Sequence, residues 1–166
     1  GVVWPGRTVF PDFTNPEARR WWGDQFVFYT DLGVAGFWHD MNEPSCFAAW
    51  GDPTFPLAVR HRTEHGTVDH RELHNVYGLQ MCRASYDGLR SLQPDRRPFL
   101  FSRSGWAGSQ RYGGHWSGDV ETAWSSLRGS LDQCLGFGMS GVGYYGPDIG
   151  GFTGEPSPEL FTRWFQ

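Results

Sequence analysis

Residues 34–44 read VAGFWHDMNEP, an apolar run that stops at a carboxylate. Val34, Ala35, Gly36, Phe37 and Trp38 have the make-up of a short, fully buried strand, with small residues where a neighbouring strand or a ligand must come close. Asp40 then falls at the strand's carboxyl end. In α/β sheets and barrels reactive groups collect at that end, because the loops there are free to vary while the strand holds each side chain in place. Asp40 is therefore the first catalytic candidate; its plain alternative is an acid that caps the next turn or pairs with an arginine. Around it Trp38, Met41, Asn42 and Glu43 gather aromatic, thioether, amide and acidic groups within a few positions, a density that suits a sugar site. Trp stacks on the apolar face of a pyranose, while carboxylates and amides bind its hydroxyls. From the residues alone, Glu43 serves equally well as the reactive acid.

Upstream, Thr14 and Glu17 stand in capping-box spacing with Pro16 inside the first turn, and Ala18, Trp22, Phe26 and Tyr29 recur at helical intervals up to Gly33. The spacing predicts one helix that delivers the chain into the strand ending at Asp40. Before it, WPGRTVFPDFTN at 4–15 is a Pro- and Gly-rich loop, in which the residues alone make Trp4 a core tryptophan pinning the loop.

Downstream, 44–74 has no periodicity, as expected of a long lid or binding loop on the active-site side. It carries His61, His65, His70 and His74, but Gly66 lies among them, no HExxH pattern is present and no carboxylates stand as completing ligands. A solvated loop with no metal is the expectation. Val76, Leu79, Cys82, Tyr86 and Leu89 then form one helical face over 75–92, ended by Pro94, and PFLFS at 98–102 reads as the next buried strand, followed by Arg103 and Ser104. SGWAGSQRYGG at 104–114 is too Gly-rich for more than a short helical turn. HWSGD at 115–119 is a short strand ending in a second acid, Asp119, either a catalytic group or the N-cap of a helix that starts at Thr122, runs along Trp124, Leu127 and Leu131 and closes near Gly136. Residues 141–145 read as another strand and 157–166 as a last helix. Strands alternating with helices argue for parallel α/β architecture without separating a barrel from an open sheet.

Five stretches carry a family resemblance. WHDMNEP resembles the WxDMNEP signature of the glycoside hydrolase family that contains the α-glucosidases, family 31; WPGRTVFPDFTN and HNVYG at 74–78 are similar to further family segments; and RSGWAGSQRYGGHWSGD at 103–119 and GPDIGGF at 146–152 resemble two more, in the family's order. The resemblance implies a (β/α)8 TIM barrel of which this chain is part, covering about strands 4 to 7 with the preceding loop and helix, all within one catalytic domain. It implies a retaining mechanism with Asp40, not Glu43, as nucleophile and Asp119 as general acid/base. Trp4, Trp38, Met41, Arg111, Trp116 and Phe152 would then contact the sugar, Arg111 by binding it in the terminal subsite, while Asn42, Glu43, Arg103 and Asp148 orient the reacting groups. Pro147 stands where the family usually has Ala, which stiffens the turn without altering the chemistry. The MNEP form leans towards a glucoside: terminal α-linked glucose removed from an oligosaccharide or a small α-glucoside, with transfer to another sugar as the alternative outcome. No cofactor or metal is needed.

Composition is compatible with this. The net charge of −4 is small and the basic residues are scattered, so nothing points to nucleic acid or an anionic membrane. Nine Trp and thirteen Phe exceed what a core of this size needs and suggest stacking surfaces. A non-catalytic carbohydrate-binding module shares that aromatic load but has no use for two acids at the ends of two strands. Cys46, Cys82 and Cys134 fit neither a disulfide framework nor a zinc motif and read as free thiols, a lean towards a reducing compartment such as the cytoplasm. No stretch is apolar enough to span a membrane and no signal peptide is visible. Since a barrel of this type takes about 250 residues, these residues expressed alone are expected to be aggregated or molten and without activity.

Overall fold

The computed structural model describes residues 1–47 and 54–166; residues 48–53, within the segment read as a long loop, lie outside the described residues. The chain forms two compact units, Gly1–Gly113 and Gly114–Gln166.

The first unit opens with a small antiparallel pair, β1 (Val2–Val3) and β2 (Gly6–Arg7), at the start of the 4–15 loop. Helix α1 (Pro16–Asp24) follows, and its cap differs from the capping box read in the sequence. Asn15 accepts the amide of Glu17 at 2.9 Å, while the Thr14 hydroxyl donates to Asp12 at 2.6 Å. A hydroxyl one residue too early cannot reach the orphan N–H groups of the first turn, and an Asn in extended backbone can. The single helix expected through Tyr29 is broken at Gln25, and the chain resumes as the short α2 (Val27–Asp31).

Strand β3 (Gly36–His39) pairs in parallel with β6 (Phe99–Ser102), Gly36 opposite Phe99 and His39 opposite Ser102. The strand starts two residues later than read and is not buried throughout in these residues: Trp38 is 66% exposed. Between the two strands in sequence runs α4 (Tyr77–Leu92), reached through a 3-10 turn at His74–Val76. It packs against α1 so closely that a Cβ on Gly88 would lie 2.4 Å from the Gly23 Cα, so two glycines set this crossing. Trp22 and Ser85 lock it, indole Nε1 donating to Oγ at 2.8 Å. Phe13, Tyr77 and Ala84 form one core cluster, and Phe26, Leu89 and Leu100 another. Each such large side chain, taken fully from water, contributes roughly 1.5–3 kcal/mol.

The segment 44–74 is not structureless. It contains an antiparallel hairpin, β4 (Arg60–Thr63) with β5 (Gly66–Asp69), and the short α3 (His70–Leu73) capped by Asp69. The expectation of a solvated histidine loop fails for two of the four imidazoles: His61 is 2% and His70 0% exposed. Alternation over four residues is too short to register as a period when both strands are made of charged and small residues.

In the second unit, β7 (Gly114–His115) is only two residues long, and the strand read at 141–145 is reduced to a parallel bridge between His115 and Tyr145. Helix α5 (Trp124–Met139) starts two residues after Thr122, which does not cap it, and outlasts Gly136. Trp124 and Leu131 of its expected apolar stripe are exposed among these residues. Helix α6 (Pro158–Phe165) is capped by Ser157 and buries Leu160 and Trp164. The turn read at 104–114 is present as a 3-10 turn at Ser109–Arg111 in the first unit. Strands followed by helices, with β3 and β6 parallel, give the expected parallel α/β arrangement; the described strands close no barrel. No described helix is long and apolar enough to cross a membrane, and all three cysteines are free.

Candidate active site

Asp40 leaves β3 at its carboxyl end and faces a cleft of about 360 Å³. The cleft is lined from the 4–15 loop by Trp4, Val9 and Phe10, and across from it by Met41, Asn42 and Tyr77. Trp4 does not pin a core: it is 80% exposed at the cleft, with its ring edge-on to Phe47 at 4.8 Å. Met41 has a φ of +56°, the left-handed region that a side chain such as Met rarely occupies. Strain of this kind costs of order 1–3 kcal/mol, and it persists where the surroundings over-determine the backbone, often at functional sites. Here it folds the Met41 amide back onto its neighbour, donating to Asp40 Oδ1 at 2.8 Å.

The strand pairing places Arg103 next to this turn. Its amide donates to the His39 carbonyl at 3.0 Å, continuing the ladder by one step. Its guanidinium grips Glu43 with a two-pronged contact, Nε to Oε1 at 2.8 Å and an Nη to Oε2 at 3.1 Å, and its other Nη lies 3.2 Å from Asp40 Oδ1. Ser45 donates to Glu43 Oε2 at 2.6 Å. Burial works against ionising Glu43, but the hydrogen bonds from Arg103 and Ser45 and the arginine's charge outweigh it and hold the carboxyl below the usual range. Both Glu43 oxygens are thus committed, whereas Asp40 lines the cleft. The Asn42 amide is engaged at both ends. It is buried, donates to Ser102 Oγ at 2.8 Å and accepts the Ser104 amide at 3.0 Å, tying the turn after β3 to the turn after β6.

Beneath the strand end, His39 is buried between α4 and the sheet with Ser85 Oγ 3.1 Å from Nε2 and Cys82 Sγ 3.8 Å from Nδ1. Burial lowers its pKa to about 4, so it is neutral and structural.

Arg111 lies in the turn at Ser109–Arg111. Its Nε donates to the Gly108 carbonyl at 3.2 Å and its guanidinium lies over the Tyr112 ring, 5.2 Å from the centroid. Of the two arginines, Arg103 directly follows a strand paired to β3, which puts it beside Asp40 and Glu43 as expected of an orienting group. Ser45, Ser102 and Tyr77 were missed in the sequence, and only their place on the folded backbone identifies them.

In the second unit Asp119 is exposed on the loop after β7. That loop is stitched to residues 148–153: Phe152 donates its amide to the Val120 carbonyl at 2.8 Å, Thr122 donates to Thr153 at 3.0 Å, and Glu121 and Thr153 form a parallel bridge. A Cβ on Gly151 would lie 2.7 Å from the Thr122 Cα, and its φ is +87°, so the second glycine of the GG pair is required twice over. Asp148 is held above the usual carboxylate range by burial and by the negative charge of Asp119. Of the two aromatics in this unit read as sugar contacts, Phe152 is exposed and Trp116 is buried at 5%. Among the described residues no group of His, Cys, Asp and Glu is placed to hold a metal ion.

Residues 1–166 match the glycosyl hydrolases family 31 TIM-barrel domain. Alpha-glucosidase 2 of Bacillus thermoamyloliquefaciens is 49% identical over 166 residues, which are all of this chain and 21% of that protein. Neutral alpha-glucosidase AB of Homo sapiens is 41% identical over 170 residues, covering the whole of this chain and 18% of the relative. Among solved structures, an ER glucosidase II complex of catalytic subunit and the binding domain of the regulatory subunit superposes with a TM-score of 0.88 at 38% identity, over 99% of this chain and 18% of that one. The chain thus spans about a fifth of the length of these relatives.

Proposed function

The chain belongs to the glycosyl hydrolases family 31 TIM-barrel domain family, and from that premise we propose that it forms part of the catalytic barrel of a retaining α-glucosidase, about strands 4 to 7 of a single domain. One observation carries the assignment of the attacking group: Asp40 lines the cleft beside Arg103, while the neighbouring Glu43 is fixed on both oxygens by Arg103 and Ser45.

In the reaction, Asp40 attacks the anomeric carbon of a terminal α-linked glucose while Asp119, protonated, delivers its proton to the leaving oxygen. A retaining pair works at about 5 to 5.5 Å separation. The glycosyl group is then an ester of Asp40. Asp119, now a base, takes a proton from water, whose oxygen displaces Asp40 and releases glucose with retained configuration. Arg103 holds Glu43 and aims Asp40, and Arg111 offers its planar fork to the sugar in the terminal subsite. Arg111 shapes the turn that leads towards Asp119. Trp4, Trp38, Met41, Trp116 and Phe152 supply apolar walls for the sugar, Asn42 and Glu43 fix the loop that bears Asp40, and Asp148 fixes the loop that bears Asp119. Segment 44–74 borders the cleft side of the barrel. The substrate is an oligosaccharide or small α-glucoside, and no cofactor enters the chemistry. The 166 residues by themselves are expected to be inactive.

The test is a panel of aryl α-glycosides, differing only in the sugar, offered to the full-length protein. Release of the aryl group from the α-glucoside, with the α-anomer of glucose as first product, is the expected result. Turnover of another sugar alone, or a β-anomer first product, overturns the reading, and appearance of longer glucosides in place of glucose replaces hydrolysis with transfer.

A further inference from the structure

Four side chains in the first unit, three of them buried and Asp12 half-buried, form a hydrogen-bonded file that the chemistry above does not use. Asp12 Oδ1 lies 3.3 Å from His61 Nδ1, His61 Nε2 lies 3.1 Å from His70 Nδ1, and His70 Nε2 lies 3.2 Å from Thr54 Oγ1. The far end of the file is anchored, since Asp12 also accepts the Arg62 amide at 2.6 Å on Oδ2 and the Thr14 hydroxyl at 2.6 Å on Oδ1. Those bonds favour its charged form and outlast the burial that opposes it, holding Asp12 below the usual carboxylate range.

An ionised carboxylate only accepts, which fixes the direction of every bond in the file. His61 Nδ1 must carry a proton to donate to Asp12. Its Nε2 is then the acceptor for a proton on His70 Nδ1, and His70 Nε2 is left to accept from the Thr54 hydroxyl. One proton on each imidazole satisfies every group. A second proton on either ring sets two N–H groups face to face, or turns a donor onto the Thr54 hydroxyl and away from its place in the file.

The file also bears on the cleft. Phe55 packs on the His70 ring at 5.0 Å and edge-on to Phe10 at 4.7 Å and Tyr77 at 5.7 Å. Phe10 and Tyr77 line the cleft with Asp40, and the Tyr77 hydroxyl donates to the Pro11 carbonyl at 2.9 Å. Asp12 itself belongs to the loop that presents Trp4.

We propose that Asp12, His61, His70 and Thr54 form an acid-sensitive clasp that positions the rim of the Asp40 cleft, closed while each imidazole carries one proton and opened when either takes a second. The ionisable groups around it come from several elements. Asp12 faces it from the 4–15 loop, Asp69 from the end of β5, His74 from the turn after α3, and Tyr77 from α4; Asp69 is paired with Arg71, and Arg19 of α1 with Glu64 at the hairpin tip. For His70, burial first and then the neighbouring His61 and His74 push its pKa down to about 4, with Asp69 opposing them. The unfolded chain, with an ordinary His near 6.5, therefore binds the proton more readily than the folded one. The stabilisation is complete above that ordinary value and is lost as pH falls through the window towards 4.

The clasp is a positioning device, and its role in catalysis rests on the α-glucosidase reading, so the first readout does not use activity. Amide exchange read by mass spectrometry on the full-length protein at about pH 7 and about pH 4.5, corrected for intrinsic rates, should show protection across 57–73 and 8–14 falling at least about tenfold in acid, with α4 unchanged. His70→Gln keeps a donor and an acceptor, and its amide can flip to receive a protonated His61, so its protection should change less than about threefold between the two conditions. Where the protein turns over an α-glucoside, acid should raise KM several-fold before kcat falls, and His70→Gln should flatten that rise. Equal protection of the wild-type segments at both pH values overturns the proposal, whether or not the variant folds. So does an unchanged acid response in a folded His70→Gln protein. Loss of protection without any glycosidase activity keeps the clasp and rejects the catalytic reading alone.

Discussion

Asp40 leaves a strand that is paired residue for residue along Gly36–His39 with Phe99–Ser102, and the turn behind it is tied down by Asn42, Arg103 and Ser102. Asp119 leaves a strand of two residues, and its loop owes its shape to backbone bonds with 148–153 and to a glycine that allows the two segments to touch. The first carboxylate is placed by a sheet and a buried side-chain network, the second by loop-to-loop stitching. The contrast suits the work proposed for each. A nucleophile must meet one carbon along one line of attack, and small misplacements are costly, whereas an acid/base must exchange protons with a leaving group and then with water.

The largest expected effect is at the rigid end. Asp40→Asn should lower turnover by about four orders of magnitude or more, as removal of a nucleophile does elsewhere, and should abolish trapping of a slow fluorinated α-glucoside. Mass spectrometry that finds the trapped sugar on Glu43 would break the comparison at once. Next comes Asp119→Ala. Loss of general acid catalysis should cost about 10²- to 10⁴-fold on substrates with poor leaving groups and much less on activated aryl glucosides, and added azide should restore part of the rate as an α-glucosyl azide. A uniform loss with no azide effect would remove Asp119 from the acid/base role.

The two arginines sharpen the contrast further. Arg103→Lys keeps a charge but loses the fork on Glu43 and the hold on Asp40, so kcat/KM should fall by about 10- to 100-fold. Arg111→Lys leaves the network around Asp40 untouched but loses the planar fork for the terminal sugar, so kcat/KM should also fall by about 10- to 100-fold with little change in folding stability. Steady-state kinetics on both, with thermal unfolding as the control for folding, decides it. Near-normal activity of the Arg111 variant would make that residue structural.

The smallest effect is a stability change in the second unit. Asp148 is held above the usual carboxylate range, by burial and by Asp119, so its ionised form is worse off folded than unfolded. For a carboxyl raised in this way the stabilisation is present at low pH and is lost as pH rises. Asp148→Asn should therefore raise the melting temperature slightly at neutral pH, with the gain gone below about pH 4. A fall in melting temperature at neutral pH would mean that the charge has a favourable partner.

How much was legible in advance depended on how local the cause was. Helix α4 and the strand at 99–102 were readable because each obeys one period over its whole length. The hairpin at 60–69 and the cap at Asn15 were not, the first because its strands are short and polar, the second because one position of offset decides which side chain reaches an N–H. Among the candidate site residues, Asp40 and Asp119 were marked by type and by their place after a strand-like run, a local property.

By itself the sequence determined the family and hence a TIM-barrel fragment, and it marked Asp40 and Asp119 as the candidate carboxylates and α4 and the strand at 99–102 as elements, since apolar period and motif spacing are written along the chain. Only the tertiary structure decided which acid near residue 40 lines the cleft and which arginine stands beside it, and that two loop histidines are buried in a file with Asp12. Each of those depends on a register or a packing between residues far apart in sequence. The pairing of β3 with β6 brings Arg103 to Glu43 across sixty positions, and the hairpin brings His61 to Asp12 across forty-nine. No window short enough to show a period contains such pairs.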